Sequence, residues 1–137
     1  MHPNDVQRIV QQAWTEQRWD DWRVRCADSY RFQLTPTIRL DLAQTLEWSL
    51  AWFTAFPDYR EEVRSVYSSP DGVAYELSGQ GTSSADLTLF GRALIPHAPG
   101  RHFTLEYAKV LVLDGDGMIV QDRQYLDTDS LRRQLDA

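Results

Sequence analysis

Apolar residues recur at helical spacing in two stretches of the chain and alternate with polar ones through much of the rest. Val6, Ile9, Val10, Ala13 and Trp14 form one stripe of an amphipathic helix, with Gln7, Arg8, Gln11 and Gln12 on its wet side. Asn4 with Gln7 has the spacing of a capping box that opens this helix. Arg18–Trp22 breaks the pattern, and Asp20 is placed to cap a short second helix running to about Ala27. Trp22 and Cys26, four apart, would share its inner face. Asp41 with Gln44 repeats the capping-box spacing, and a third helix runs to Phe56, stopped by Pro57. Its apolar residues make two stripes: Leu42, Leu46, Leu50 and Phe53, with Trp48, Trp52 and Ala55 beside them. A helix apolar over more than half its circumference touches protein on two sides, or a core and a cavity.

The strands follow period two. Ser29–Leu34 alternates polar and apolar as a half-buried strand, ended by Thr35 and Pro36. Glu62–Ser68 and Val73–Ser83 flank a Pro-led turn, Ser69 to Gly72, and read as a hairpin. Gly79 and Gly81 in its second arm mark a bulge or sharp bend. Ser84–Phe90 is ambiguous and 96–100 is a loop. A second hairpin organises the C-terminal part: Thr104–Leu113 turns at Asp114, Gly115, Asp116 and Gly117 into Met118–Asp127. Asp127 or Asp129 then caps a short helix over 130–135. Three helices with one strand among them, followed by a long antiparallel run, predict an α+β fold in a single domain over 1–137.

Composition narrows the class. The chain has 137 residues, of which 42% are hydrophobic and 25% charged, ordinary values for one globular core. Fourteen Lys and Arg against twenty Asp and Glu give a net charge of −6, which argues against a nucleic-acid or anionic-membrane partner. The single cysteine, Cys26, makes no intramolecular disulfide, and neither a long apolar run nor a signal-like N-terminus is present, so a cytoplasmic location is expected. Aromatics reach 12% with five Trp, which suits an apolar pocket or a self-association surface as well as a large core.

Phe56, Pro57, Asp58 and Arg60, then Gly81-Thr82, then Gly117, Ile119 and Val120 with Tyr125 and Asp127, and finally Leu131 to Leu135, occur in an order that resembles the SnoaL-like branch of the nuclear transport factor 2-like superfamily. Trp14 near the end of the first helix fits as well, so the resemblance covers nearly the whole chain. It implies a cone: a curved, mostly antiparallel sheet wrapped around about three N-terminal helices, with a deep pocket and often a homodimer. It also implies functions that range from polyketide cyclase and ketosteroid isomerase to dehydratase, epoxide hydrolase and non-catalytic binding subunit, so fold does not fix activity.

Pockets of this type hold a carboxylate or His in apolar surroundings, where burial raises a carboxylate pKa toward the range useful for proton transfer, beside a donor for the enolate oxygen. The candidates are Glu106 on the first arm of the C-terminal hairpin, and Asp122 and Gln124 on the second. Val120, Asp122, Gln124 and Leu126 share one face of that arm, and Ile119, Gln121, Arg123 and Tyr125 the other. Both faces mix polar and apolar residues, so parity leaves the inner face open. The resemblance places Gln124 at or close to the Asp that serves as acid/base in SnoaL-like cyclases; Gln cannot shuttle a proton, and Asp122 lies two residues away on the same face. Ser83 stands where relatives often carry a His after Gly-Thr. Trp14, Tyr30, Phe32, Trp48, Trp52, Tyr75 and Tyr125 are the candidates for lining a site that takes an apolar small molecule. Asp58 and Asp127 read as structural, bonded to backbone N–H groups. His2, His97 and His102 have no metal spacing, and the position twelve from Asp114 is Tyr125 rather than Glu, so neither a metal nor another cofactor is expected. Two readings stand together: a cofactor-independent cyclase, isomerase or dehydratase acting on an apolar carbonyl compound, and a non-catalytic ligand-binding or dimerisation domain. A third, a structural domain with a filled cone, predicts no cavity of ligand size.

Overall fold

The computed structural model describes residues 1–34 and 37–136. Its order is α1 (Pro3–Thr15), α2 (Trp19–Arg23), β1 (Cys26–Leu34), β2 (Ile38–Leu40), α3 (Leu42–Ala55), β3 (Arg60–Ser69), β4 (Gly72–Thr82), β5 (Leu87–Leu89), β6 (Arg92–Ile95), β7 (His102–Leu113), β8 (Ile119–Tyr125) and α4 (Thr128–Gln134). Six strands form one curved sheet in the order β2-β1-β8-β7-β4-β3, in which only the β1–β8 pair is parallel. The remaining two strands, β5 and β6, make a separate hairpin. No helix among the described residues is long and apolar enough to cross a membrane.

The first helix begins earlier than the capping box suggested. Pro3 takes its first turn, where a missing N–H costs nothing, and His2 is the cap, its Nδ1 accepting from the Asn4 amide at 3.1 Å. The α3 box is as expected: Asp41 accepts from Gln44 N at 2.8 Å, and the Gln44 side chain accepts from Asp41 N at 3.0 Å. On α3 the buried face carries Thr45, Trp48, Ser49, Trp52, Phe53 and Ala55, whereas Leu50 is 46% exposed. Of the Leu stripe, Phe53 is in the core, Leu42 and Leu46 are half-buried and Leu50 faces out, so the Trp stripe is the inner face of this helix. The second helix is a single turn, because Cys26 already starts β1; Trp22 and Cys26 are nonetheless both buried and in contact. The stop at Thr35 and Pro36 lies outside the described residues.

The frame of the cone is the β4–β7 pair, which runs without a register break from Gly72 opposite Val112 to Thr82 opposite His102. Alternation sets its inner face: Val73, Tyr75 and Leu77 on β4, and Phe103, Leu105, Lys109, Leu111 and Leu113 on β7, are buried. Gly79 and Gly81 belong to this unbroken stretch, so they mark no bulge. Their place is explained by a close approach instead. A Cβ at Gly79 would lie 2.9 Å from Tyr59 Cζ and nearer still to its Oη, and one at Gly81 would lie 3.1 Å from the Phe103 ring. Register shifts occur elsewhere, between Cys26 and Arg31 on β1, between Val63 and Ser65 on β3, and in β8, where Leu113 pairs with Ile119 but Val112 with Gln121. That bulge puts Ile119 and Asp122 on the same, inner side, although they are three residues apart. The turn before β8 is held by Asp114 Oδ1, which accepts from Asp116 N and Met118 N, and by Gly117 at φ 77°.

Candidate active site

Six elements, β8, β1, β3, β7, α1 and α3, bring polar groups into the aromatic interior. From β8, Asp122 is buried, and its Oδ2 accepts a hydrogen bond from Tyr30 on β1 at 2.9 Å. Tyr30 is itself fully buried and edge-on to Trp22, which fixes its hydroxyl. The second oxygen, Asp122 Oδ1, is buried and has no hydrogen-bond partner among the described residues. Burial pushes the Asp122 carboxyl above its usual pKa; the Lys109 charge, the Tyr30 hydrogen bond and the neighbouring Gln124 amide oppose the rise without cancelling it.

A second carboxylate, Glu61 at the start of β3, is held very differently. Its Oε2 accepts from Tyr59 at 2.6 Å and from Tyr107, and its Oε1 accepts from Gln11 Nε2 on α1 at 2.5 Å. The Lys109 ammonium on β7 lies 3.9 Å from Glu61 Oε1 and 5.0 Å above the Trp14 ring, in cation–π range. Trp14 in turn donates from Nε1 to Ser49 Oγ on α3 at 3.0 Å, tying α1 to α3 over the site.

These groups surround two voids of about 20 Å³ each, room for a water apiece. Asp122, Tyr75, Phe32 and Gln11 border the first, Trp52, Tyr59 and Tyr107 the second, and Trp14, Trp48, Lys109 and Gln124 border both. A wider depression of about 160 Å³ shares Trp48, Trp52 and Leu126 with the second void and opens between the β5–β6 hairpin and α4. The three lie in series and mark a candidate path, the inner two sharing Trp14, Trp48, Lys109 and Gln124 and the outer two sharing Trp48, Trp52 and Leu126.

Of the residues singled out from the sequence, Asp122, Gln124, Trp14, Phe32, Trp48, Trp52 and Tyr75 line this path, and Tyr30 stands behind Asp122. Glu106 and Tyr125 do not. Glu106 is exposed on the outer face of β7, bonded to Ser78 Oγ at 2.8 Å, and Tyr125 is 50% exposed. Asp58 and Asp127 accept from backbone N–H groups of Thr82 and Ser130, the structural roles expected of them. Lys109, Glu61, Tyr59, Tyr107 and Gln11 were not anticipated. One signal was available for Lys109: it is the only charge at the odd positions of Phe103–Leu113, which are otherwise aromatic or aliphatic.

A family model for SnoaL-like polyketide cyclases matches residues 4–135. The chain belongs to that family. Solved structures of SnoaL-like and related proteins share its fold. IdmH from Streptomyces antibioticus, described as a candidate polyketide cyclase, is 22% identical with a TM-score of 0.79, over 98% of this chain and 99% of that one. A candidate SnoaL-like polyketide cyclase from Jannaschia sp. CCS1 is 17% identical with a TM-score of 0.82, over 98% and 94%. A nuclear transport factor 2-like protein from Burkholderia thailandensis is 14% identical with a TM-score of 0.78, over 100% and 99%. No curated protein matches by sequence. For this SnoaL-like chain, identities at that level carry the fold and leave the chemistry to the side chains.

Proposed function

We propose that this SnoaL-like protein is a cyclase-type enzyme that moves a proton next to a carbonyl group in an apolar substrate, with Asp122 as the base. The observation that supports this most is the state of its carboxylate: Oδ2 is held by Tyr30, while Oδ1 is buried, unpaired and beside a cavity. A carboxylate whose pKa is raised by burial is a better base toward a carbon acid than one in water. In the step proposed, Oδ1 takes the α-proton, and the C–H electron pair moves into the enolate. The enolate carbon attacks a second carbonyl of the same molecule, and the new alkoxide takes the proton back from Asp122. The product is an isomer of the substrate. Gln124 flanks the base and contributes an amide, not a proton shuttle. The apolar path past Trp48 and Trp52 fits an apolar ligand.

The test is deuterium incorporation at the α-carbon of enolisable ketones and polyketide-like esters, followed by NMR. Asp122→Asn should lower the rate by about 100-fold or more, the usual worth of a positioned base. An unchanged rate in Asp122→Asn would refute the assignment.

One observation favours a binding role instead: each inner void admits only water-sized groups until side chains move. That reading predicts tight binding of an apolar ligand with no exchange in the wild type, and binding that survives Asp122→Asn.

A further inference from the structure

Among the described residues Lys109 is the cation that borders both inner voids, and the proton transfer proposed above does not use it. Its side chain is 7% exposed and that of its partner Glu61 is fully covered, so the pair is out of bulk water. The 3.9 Å between Nζ and Glu61 Oε1 is beyond hydrogen-bond reach. Glu61 has no need of the ammonium as a donor, because Tyr59, Tyr107 and Gln11 already donate to its two oxygens. Glu61 thus supplies a charge that keeps Lys109 in place, and the N–H groups of the ammonium make no hydrogen bond among the described residues. The Trp14 face, 5.0 Å away, adds attraction but accepts no conventional hydrogen bond. Those donors border both inner voids. On the sheet, Lys109 is opposite Gln124 and Leu111 opposite Asp122, which makes Lys109 and Asp122 diagonal neighbours on the inner face. A ligand seated between them meets a base on one side and a fixed ammonium on the other. Toward the mouth, Trp52 Nε1 is a second buried donor with no partner among the described residues.

We propose that Lys109 is the oxyanion-holding residue of the site, its ammonium pairing with the enolate oxygen formed when a β-dicarbonyl unit, the repeating chemistry of polyketides, loses its central proton. This deepens, and rests on, the reading of Asp122 as the base. As Oδ1 takes the proton from the carbon between the two carbonyls, the electron pair delocalises onto their oxygens. The charge that leaves Asp122 arrives beside Lys109, so the ammonium faces a negative charge throughout. A β-dicarbonyl suits this arrangement because its proton is acidic enough for a carboxylate to remove, and its second oxygen extends toward a further donor. A fixed cation in a site closed to water is the form of stabilisation that strengthens as charge develops.

The probe is pentane-2,4-dione, the smallest β-diketone, which asks least of the aromatic walls. Three readings are taken on the full chain: the ultraviolet band of bound enolate, deuterium incorporation at the central carbon, and intact mass. Lys109→Met leaves the Glu61 charge buried and is paired with the double variant Lys109→Met/Glu61→Gln, which removes both charges; circular dichroism reports folding. The wild type should bind the diketone as enolate. Asp122→Asn should keep the enolate band and lose exchange. The double variant should lose the band and exchange about 100-fold more slowly, the cost of deleting one oxyanion donor. Lys109→Arg, which keeps the charge, should retain the band.

No enolate band in the wild type at saturating diketone overturns the proposal, as does a folded double variant that keeps the band. So does a mass increase equal to the diketone less one water that peptide mapping places on Lys109, since an adduct there requires Lys109 as a neutral nucleophile. A Lys109-dependent band with no exchange above buffer supports the oxyanion site while removing Asp122 as base. Asp122-dependent exchange that ignores Lys109 does the reverse.

Discussion

Gly79→Ala tests how the site is braced from behind. The new Cβ would fall 2.9 Å from Tyr59 Cζ and closer to Oη, so either the β4 backbone or the Tyr59 ring must shift. The ring has little room. It lies edge-on to Trp52 at 5.1 Å and to Trp14 at 6.2 Å, stacks on Phe103 at 6.2 Å, and its hydroxyl donates to Glu61 at 2.6 Å. Overpacking a site of this kind costs about 1–3 kcal/mol. Moving the hydroxyl off a buried carboxylate forfeits about 1.5–3 kcal/mol more. Replacing Gly by Ala returns about 0.4–1 kcal/mol by stiffening the unfolded chain. The net loss expected is about 3 kcal/mol, which lowers the urea midpoint by about 1–2 M at an ordinary slope.

Tyr59→Phe separates the contributions. Alone it strands part of the Glu61 charge and loses the hydrogen bond. In the Gly79→Ala background it also removes the atom that the Cβ strikes, and the hydrogen bond is then lost once rather than twice. The double variant should be more stable than the sum of the single changes predicts by about 1–2 kcal/mol, within the range seen for residues in contact. Equilibrium urea unfolding of the four proteins gives the cycle. Gly115→Ala, which meets nothing within 4 Å, is the control and should stay within about 0.5 kcal/mol of wild type. Gly79→Ala within the same margin, or strictly additive free energies, would refute the account of why glycine stands there.

Asp122 should also show itself in the pH dependence of stability. Burial raises its pKa above the unfolded value, despite the Lys109 charge and the Tyr30 hydrogen bond, so the folded state binds the proton more tightly. The stability this provides is present at low pH and falls away as pH climbs from the unfolded carboxylate pKa, about 4, through the folded one. Asp122→Asn should flatten that decline and gain on wild type between acid and neutral pH in melts at stepped pH, with Lys109, Glu61, Tyr30, Tyr75 and Cys26 unchanged around it; a difference constant with pH would contradict this. Cys26 is 5% exposed, and burial together with the Asp122 charge pushes its thiol up to about 12. It should resist aromatic disulfide reagents at pH 8 until urea opens the fold, and prompt labelling of the native protein would contradict its packing.

Local periodicity made the elements legible. The α1 stripe, the α3 capping box and both long hairpins follow from residues close in sequence, and those residues form the same elements in the fold. What could not be read is what depends on a partner far along the chain. The inner face of β8 was ambiguous because a bulge between Ile119 and Gln121 breaks period two at the point where parity would have decided it. Glu106 looked as eligible as Asp122, yet it shares its parity with Val110 and Val112, and no rule of alternation says that an apolar pair faces outward. Gly79 carried the signature of a bend; its reason is Tyr59, twenty positions earlier. Lys109 is the instructive case, since it stood among Phe103, Leu105, Tyr107 and Leu111 and needed only a decision about which parity points in.

The interior holds two carboxylates under opposite terms. Glu61 has three hydrogen-bond donors and an ammonium at 3.9 Å, about as complete a set as a buried carboxylate obtains. Asp122 has one donor and an oxygen with none. A fold selected only for stability gains by satisfying both, or by replacing Asp122 with an apolar residue of similar size. Gln124 and the diagonal neighbour Lys109 are near enough to oppose the rise in the Asp122 pKa, yet neither completes a hydrogen bond to Oδ1 among the described residues. Glu61 orients the cation, and the unsatisfied oxygen of Asp122 is the atom with capacity left for a substrate proton.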